Sequence, residues 1–375
     1  MQKKLISLIS TVLLVGSGFA AWAAGTPNSS TIHIALTAPI TGDYAEYGNN
    51  FKHSVEMAID EINANGGVLN KKFEISVGDS KGDPKESAIL AQKWTSDSTI
   101  VAQIGDFTST CCMAAQPIYN RAGMIQLSPT ASHTKFASGS KWSFSVYGSQ
   151  YWEQPVMAAL AVDKLKFKNM ALLYINNDWG VDTQKSFKEN FEKRGGKIVA
   201  TESYFQGETD FNAVLTKLKE FKPDALFLAT MYNDGALISK QREKMSWNLP
   251  VIGASALYSP QLIQLGGTAV NGIYSNVSFF AKDPDPRIQA YVSTFEKKFG
   301  NTPNFAAALA YDCVYILADA IKRAGSVDRN AVRDALASSK DFKGLAGSIT
   351  FTAERSAIKT YKPVQVVNGE FQLVE

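Results

Sequence analysis

The chain has 375 residues, which is enough for two domains that each bury a substantial core. Its 38 Lys and Arg residues against 35 Asp and Glu residues give a formal net charge of +3. This balance lacks the basic excess of nucleic-acid-binding proteins, so we expect no nucleic-acid partner. The three histidines, His33, His53 and His133, are scattered, and no Cys/His pair has ligand spacing, so we expect neither a metal nor a cofactor.

Residues 1–23 have the pattern of a signal peptide. Lys3 and Lys4 precede a largely apolar run over 5–20, and Ala21-Trp22-Ala23 fits a small-residue cleavage site. The run is short for a membrane span, although a retained anchor is the alternative. No cysteine lies near the cleavage site, so the sequence predicts an exported chain without a lipid anchor.

Apolar runs typical of strands then alternate with amphipathic runs typical of helices, which predicts an α/β fold with parallel sheets. In the first part a loop is expected over 39–47. Strands are predicted at 31–38, 73–78, 100–104, 124–127 and 142–147, and helices from Gly48, from Asp83 and over 110–121.

The alternation restarts after Tyr147, which indicates a second α/β domain. Its predicted strands are 170–175, 198–204, 224–229, 250–253 and 272–277, and its helices are 155–165, 182–193, 211–221 and 235–245. Helices at 287–299, 304–324 and 329–338 and strands at 348–351 and 363–367 follow. We infer that these helices complete the first domain and these strands the second. Three such crossings make a hinge with a cleft beside it, a common place for a small-molecule site.

Two hydroxyl-rich turns in the stretch 104–132 are the central feature of the sequence. One follows the strand ending at Ile104 and contains Ser109; the other follows the next strand and contains Ser132. Neighbouring parallel strands end at one edge of the sheet, and helix N-termini there favour anions. The sequence therefore predicts a site for a carboxylate or a similar head group. Simple helix capping by Ser and Thr is the alternative.

Motifs of enzymatic chemistry are missing from the sequence. No Walker A, dinucleotide-binding, G-x-S-x-G, HExxH or C-x-x-C pattern occurs in the mature chain. The odd count of three cysteines leaves at least one free thiol; adjacent Cys111 and Cys112 are expected to be small buried residues, with an activated thiol as the alternative. Together with an exported two-lobed architecture, this absence of motifs leads us to expect a protein that is not an enzyme.

Seven segments give the chain a resemblance to a known family. In order they are APITGDYAEYG (38–48), AIDEINANGGV (58–68), GDPKESA (82–88), IGDFTST (104–110), LSPTAS (127–132), NNDWG (176–180) and AYDCVYILADAI (310–321). By their order and spacing the chain resembles the periplasmic substrate-binding proteins of ABC transporters, of the branched-chain amino acid (Leu/Ile/Val-binding) type. The resemblance implies two Rossmann-like lobes with three hinge crossings, the periplasmic binding protein type I or Venus-flytrap fold.

The same resemblance implies lobe boundaries and binding residues. Lobe 1 would comprise 31–147 plus 279–345, and lobe 2 would comprise 148–278 plus 346–375. The ligand carboxylate would be held by lobe 1, and aromatic side chains from both lobes would cover the ligand. The implied carboxylate-binding residues are Phe107, Ser109, Thr110, Thr130 and Ser132, and the covering residues are Tyr47 and Trp179.

One departure from the family concerns the ligand ammonium. Amino-acid binders of this type place a lobe 2 carboxylate in a G-x-E segment, which aligns here with Gly253-Ala254-Ser255. Either the ligand lacks an α-ammonium or another acid serves: Asp234 first, then Asp312 and Glu153. Helix capping is the alternative for Asp234, and a solvated or hinge-facing position for Asp312. The family's cysteine bridge is not expected, because its positions are Gly82 and Thr108.

Further aromatic residues are expected at loops or strand ends near the cleft. They are Tyr151, Trp152, Tyr232 and Tyr258, with a core position as the alternative for Tyr151, Trp152 and Tyr258. If two or more aromatic side chains face the cleft, a ligand with an apolar, aromatic or cationic part is favoured.

The resemblance therefore implies a monomeric periplasmic protein that captures a small amino acid or related carboxylate or amide. It would deliver this ligand to the permease subunits of an ABC importer. A ligand-sensing module of the same fold, coupled to a receptor or regulator, is the alternative, and an enzyme is a distant third. The sequence leaves the ligand's identity open.

Overall fold

The computed structural model describes residues 30–374, whose strands form two main sheets and one hairpin. The predicted signal peptide lies outside the described residues. The first sheet is parallel, with the order β2-β1-β3-β4-β5. Its strands are β1 (Thr31–Ala38), β2 (Lys72–Asp79), β3 (Ile100–Gly105), β4 (Ile125–Ser128) and β5 (Ser143–Ser145).

The second sheet has seven strands and is parallel except at one edge. Its strands are β6 (Asn169–Ile175), β7 (Lys197–Tyr204), β8 (Ala225–Ala229), β9 (Val251–Gly253), β10 (Tyr274–Val277), β13 (Lys362–Val367) and β14 (Glu370–Leu373). The hairpin consists of β11 (Phe342–Gly344) and β12 (Gly347–Ile349). The sheet order is β14-β13-β10-β9-β8-β6-β7, and β13 and β14 pair antiparallel. We call the first sheet with its helices lobe 1 and the second sheet with its helices lobe 2.

Eleven α-helices lie within residues 30–374. They are α1 (Ala45–Ala64), α2 (Pro84–Ser96), α3 (Ser109–Ala122), α4 (Gln150–Ala159), α5 (Asp178–Lys193), α6 (Asn212–Glu220), α7 (Tyr232–Lys244), α8 (Pro260–Gly266), α9 (Pro286–Phe299), α10 (Phe305–Ala324) and α11 (Arg329–Ala337). Within the part of the chain described here, none of them is long and apolar enough to cross a membrane.

The chain returns to each lobe after leaving it, as the pattern of late helices and strands predicts. Helix α10 packs against α1, and the hydroxyl groups of Ser54 in α1 and Tyr291 in α9 form a hydrogen bond of 2.8 Å. Strands β13 and β14 extend the sheet of lobe 2. The strand predicted at 348–351 corresponds to β12, which pairs with the unpredicted β11 in a separate hairpin and does not join the sheet of lobe 2. The lobe boundaries themselves stay predictions.

The register of the first sheet positions the two hydroxyl-rich turns. Every residue of β3 is buried, as expected for a central strand of a parallel sheet. Ile104 of β3 pairs with Leu36 on one side and with Leu127 of β4 on the other. The carboxyl ends of β3 and β4 therefore lie side by side, and the turns that follow them meet at one edge of the sheet.

Candidate functional site

A small cavity, with a volume of about 20 Å³, lies between the lobes at this edge. Its walls are mainly aromatic side chains and hydroxyl groups. Lobe 1 contributes Phe107, Thr108, Ser109, Thr130, Ser132, Tyr147 and Phe305, and lobe 2 contributes Trp179, Met231, Ser255 and Ala256.

Ser109 is the first residue of α3, and its hydroxyl oxygen joins the two turns. Thr108 caps the helix, because its Oγ1 accepts a hydrogen bond from the Cys111 amide at 3.1 Å. The Ser109 Oγ accepts from the backbone amides of Ser132 and His133, both at 3.1 Å. The two N–H donors use both lone pairs of this oxygen. The hydroxyl proton of Ser109 therefore remains available to donate to another group.

Ser132 has the same arrangement but receives its donors from side chains. Its Oγ accepts from Gln150 Nε2 at 2.7 Å and from Trp179 Nε1 at 3.1 Å. The hydroxyl proton of Ser132 is therefore also left for another acceptor. Two hydroxyl donors beside the N-terminus of α3 make this wall of the cavity suitable for a carboxylate oxygen.

Trp179 reaches Ser132 because α5 begins directly after β6. The side chain of Asn177 caps the helix by accepting from the Gly180 amide at 2.9 Å. A Cβ atom at position 180 would overlap the carbonyl oxygen of Ile175, so only glycine allows the helix to start this close to the strand. The tight start places the indole of Trp179 across the cleft from its own lobe.

Tyr47 lies beside the cavity, outside its lining. The predicted loop over 39–47 was wrong at its end, because α1 already begins at Ala45. The ring of Tyr47 stacks on Phe107 at a centroid distance of 4.1 Å, and its hydroxyl donates to the carbonyl oxygen of Ala256 at 2.6 Å. Tyr232 packs against it from lobe 2 at 5.2 Å. Tyr47 therefore joins the lobes directly.

The structure brings most of the predicted ligand-binding residues to the cavity. Those that line it are Phe107, Ser109, Thr130, Ser132, Trp179 and Ser255, and those outside its lining are Tyr47, Thr110, Tyr232 and Asp234. The hydroxyl of Thr130 donates to the carbonyl oxygen of Phe107 at 2.7 Å, so its proton is used within lobe 1. The hydroxyl oxygen of Thr110 is buried and has no partner among the described residues.

Asp234 faces a second recess between the lobes, which also contains Asp43 and Tyr44. It does not cap α7, whose N-cap is Met231, because the helix begins three residues earlier than predicted. Its carboxylate accepts a hydrogen bond from the Tyr204 hydroxyl at 2.8 Å. Burial raises the pKa of Asp234 to about 6, against the lowering effect of the Tyr204 hydrogen bond. Its position gives no support to the expected contact with a ligand ammonium.

This raised pKa predicts how stability depends on pH. The native state binds the Asp234 proton more tightly than the unfolded state, so the stabilisation is complete below pH 3.8 and is lost as pH rises through about 6. As Asp234 ionises between pH 4 and pH 7, the wild type should lose up to about 3 kcal/mol of unfolding free energy. Asp234→Asn should lack this contribution. Urea unfolding of both proteins at several pH values measures this difference. Parallel curves would contradict it.

The two other acids considered as ammonium partners have different surroundings. Asp312 is buried and accepts from the amides of Leu345 and Ala346 at 2.7 and 3.0 Å, outside the lining of the cavity. Glu153 lies directly behind the cavity wall, where its carboxyl oxygens accept hydrogen bonds from the Tyr147 hydroxyl and the Ser255 amide. The predicted start of a helix at Pro155 placed Glu153 in a loop, whereas α4 begins at Gln150.

Several cavity residues escaped the sequence analysis. They are Thr108, Tyr147, Met231, Ala256 and Phe305. Tyr147 immediately precedes the first crossing between the lobes and Phe305 opens α10, and neither position follows from strand or helix periodicity. Among the other aromatic residues expected near the cleft, Tyr151 is 66% exposed, and Trp152 and Tyr258 are absent from the lining.

The thiols give no sign of an activated nucleophile. Cys111, Cys112 and Cys313 are buried and unbridged. Burial raises the pKa of Cys111 to about 12, and it also raises the pKa values of Cys112 and Cys313 well above the ordinary range. The expectation of small buried residues is therefore supported over that of a reactive thiol.

The fold and the cavity define a protein of two α/β lobes with a cavity between them, and comparison with known proteins agrees. The family described as periplasmic binding protein matches residues 31–370. A Leu/Ile/Val-binding protein homolog of Brucella suis is 27% identical over 355 residues, covering 94% of this chain and 92% of that protein. The leucine-, isoleucine-, valine-, threonine- and alanine-binding protein of Pseudomonas aeruginosa is 26% identical, with 93% of each chain covered.

Solved structures agree as well. The branched-chain amino acid transporter substrate-binding protein LivJ of Streptococcus pneumoniae, in complex with isoleucine, is 29% identical with a TM-score of 0.85. The alignment covers 92% of this chain and 99% of that one. The chain belongs to the periplasmic binding protein family. The resemblance to Leu/Ile/Val-binding proteins and the type I fold are confirmed.

Proposed function

We propose that the chain captures a small amino acid, or a related carboxylate or amide, between its lobes and delivers it to the permease of an ABC importer. The observation that carries this proposal is the pair of hydroxyl groups of Ser109 and Ser132, which retain their protons and line a cavity between the lobes. The names of the relatives support the ligand class, since the protein of Pseudomonas aeruginosa is described as a binder of five amino acids.

Closure of the lobes on the ligand would provide the mechanism. Several hydrogen bonds already join the lobes around the cavity, among them Trp179 Nε1 to Ser132 Oγ, Tyr47 OH to the Ala256 carbonyl, and Thr134 Oγ1 to Asp182 Oδ1. A ligand that contacts Ser109 on one side and lobe 2 on the other binds the closed state better than the open state. It therefore shifts the population toward closure, which a permease can distinguish from the open form.

Thermal stability of the purified chain tests the proposal. A ligand that binds the native state adds about 3 kcal/mol of stability at a hundredfold excess over its dissociation constant. The melting temperature therefore rises with ligand concentration. We expect such a shift from a carboxylate in a panel of amino acids, amides, urea, polyamines and aromatic acids. If only polyamines or urea shift the melting temperature, a carboxylate site is contradicted.

The destination of the ligand needs a separate observation. We expect a signal peptide to be removed on export to the periplasm and the mature chain to be a monomer without a lipid anchor. Mass spectrometry of the chain recovered from the periplasm reports the cleavage site. A membrane permease encoded beside this gene would support delivery, whereas a receptor or kinase gene there would favour a sensing role.

A further inference from the structure

A chain of hydrogen bonds in the cavity wall ends on a buried carboxylate. The hydroxyl of Tyr147 lies 2.7 Å from Glu153 Oε2 and 2.5 Å from Ser255 Oγ. Glu153 is fully buried, and its Oε1 accepts from the Ser255 amide and from Asn276 Nδ2, both at 2.9 Å. Tyr147 and Ser255 line the cavity, whereas Glu153 lies behind them.

The direction of each hydrogen bond follows from the number of protons. Tyr147 has one hydroxyl proton and donates it to Glu153 Oε2, while Glu153 Oε1 accepts the two N–H groups. The Tyr147 oxygen then accepts the hydroxyl proton of Ser255. Ser255 therefore has no proton left for a ligand and presents a lone pair to the cavity. Ser109 and Ser132 on the opposite wall each keep a proton, so the cavity has donors on lobe 1 and an acceptor on lobe 2.

We propose that Ser255 accepts a hydrogen bond from a neutral hydroxyl group of the ligand, which is a small hydroxy acid with an apolar or aromatic frame. This inference rests on the proposed function and narrows its ligand class. The carboxylate meets Ser109 and Ser132, and the apolar frame packs against side chains such as Trp179 and Phe305.

An ammonium group fits this wall less well than a hydroxyl group does. An ammonium carries three N–H donors and needs an acceptor for each when it is buried. The carbonyl oxygens of Phe107 and Ala256 already accept from Thr130 and Tyr47, so each retains one lone pair at most. Ser255 offers one oxygen, which is enough for a hydroxyl group.

Two series of probe ligands test the proposal by titration calorimetry on the full-length chain. The first comprises isocaproate, its hydroxy acid (leucic acid), its oxo acid (ketoisocaproate) and L-leucine. The second comprises benzoate and its para-hydroxy, para-formyl and para-aminomethyl derivatives. In at least one series the hydroxy acid should bind about three- to tenfold more tightly than the other members.

The outcomes separate this inference from the proposed function. If the ammonium-bearing member binds most tightly, or if the hydroxyl group adds no affinity in either series, the inference is overturned. The proposed function survives that result, because an amino acid bound at Ser109 and Ser132 still satisfies it. If none of the eight carboxylates binds, the inference is overturned, and the thermal-shift panel decides on the proposed function.

Glu153→Gln tests whether Glu153 is a positioning residue that orients the Ser255 hydroxyl through Tyr147. The amide oxygen can still accept from Ser255 and Asn276, but the amide nitrogen now donates to Tyr147. Tyr147 then donates to Ser255, and the Ser255 proton turns toward the cavity. The preference for the hydroxy acid over the oxo acid, which presents only acceptors, should fall by about three- to tenfold.

A merely structural role of Glu153 would lower both affinities equally and leave their ratio unchanged, which would overturn the assignment. Asp234→Asn is the matched control, because it also neutralises a buried lobe 2 carboxylate but lies outside the cavity lining. We expect it to leave the ratio as in the wild type. If the ratio of hydroxy acid to oxo acid affinity changes equally in both variants, the hydrogen bonds from Glu153 through Tyr147 to Ser255 do not set the preference.

Discussion

Replacing Ser109 and Ser132 together by alanine should weaken binding of the carboxylate ligand by about 10²- to 10⁴-fold. Each hydroxyl lines the cavity and keeps a proton that a ligand oxygen can accept. A hydrogen bond to a charged group contributes about 1.5–3 kcal/mol, so the pair supplies about 3–6 kcal/mol. Titration calorimetry, with the carboxylate that gives the largest thermal shift, measures the change.

The control for this double variant is Thr110→Ala. Thr110 follows Ser109 in α3, and its buried hydroxyl lies outside the cavity lining. Its removal leaves the helix N-terminus and both serines in place, so affinity should stay within about threefold of the wild type. Circular dichroism melts without ligand must show that the double variant is folded, because Ser109 also accepts two backbone amides. Unchanged affinity in the folded double variant would contradict the site.

The proximity of Ser109 and Ser132 could be predicted because it depends on local pattern and on one topological rule. A short apolar run followed by a hydroxyl-rich turn and a helix identifies each βα unit. The register of β3 with β4 then brings the two turns together. The same reasoning predicted β1 over 31–38, where the observed strand is Thr31–Ala38.

The lobe 2 half of the site could not be predicted in the same way. Glu153 and Ser255 are 102 residues apart in sequence, and their contact depends on how α4 packs beside the turn after β9. The proline rule also misled the prediction, because Pro155 lies inside α4 instead of at its first position. Residues such as Tyr147 and Phe305 reach the cavity through the arrangement of the lobes, which no local pattern encodes.

The second large effect is expected on stability, at the last crossing between the lobes. Asp312 in α10 accepts from the amides of Leu345 and Ala346, and Lys359 Nζ donates to the Ala346 carbonyl at 2.8 Å. Burial raises the pKa of Asp312 to about 6, against the attraction of Lys359. Burial lowers the pKa of Lys359 to about 8, against the attraction of Asp312. Near neutral pH the charge of each residue therefore stabilises the charged form of the other.

Asp312→Ala should lower the unfolding free energy by about 3–5 kcal/mol at pH 7, as measured by urea unfolding. The variant leaves the Lys359 ammonium buried without its counter-charge and two backbone amides without an acceptor. Asp319→Ala is the matched control in the same helix: its partner Arg323 and Asp319 itself are 37% and 38% exposed, so less than about 1 kcal/mol should be lost. Adding Lys359→Met to Asp312→Ala removes the orphaned charge and should restore part of the stability. If Asp312→Ala costs no more than Asp319→Ala, the buried pair does not hold the crossing to α10.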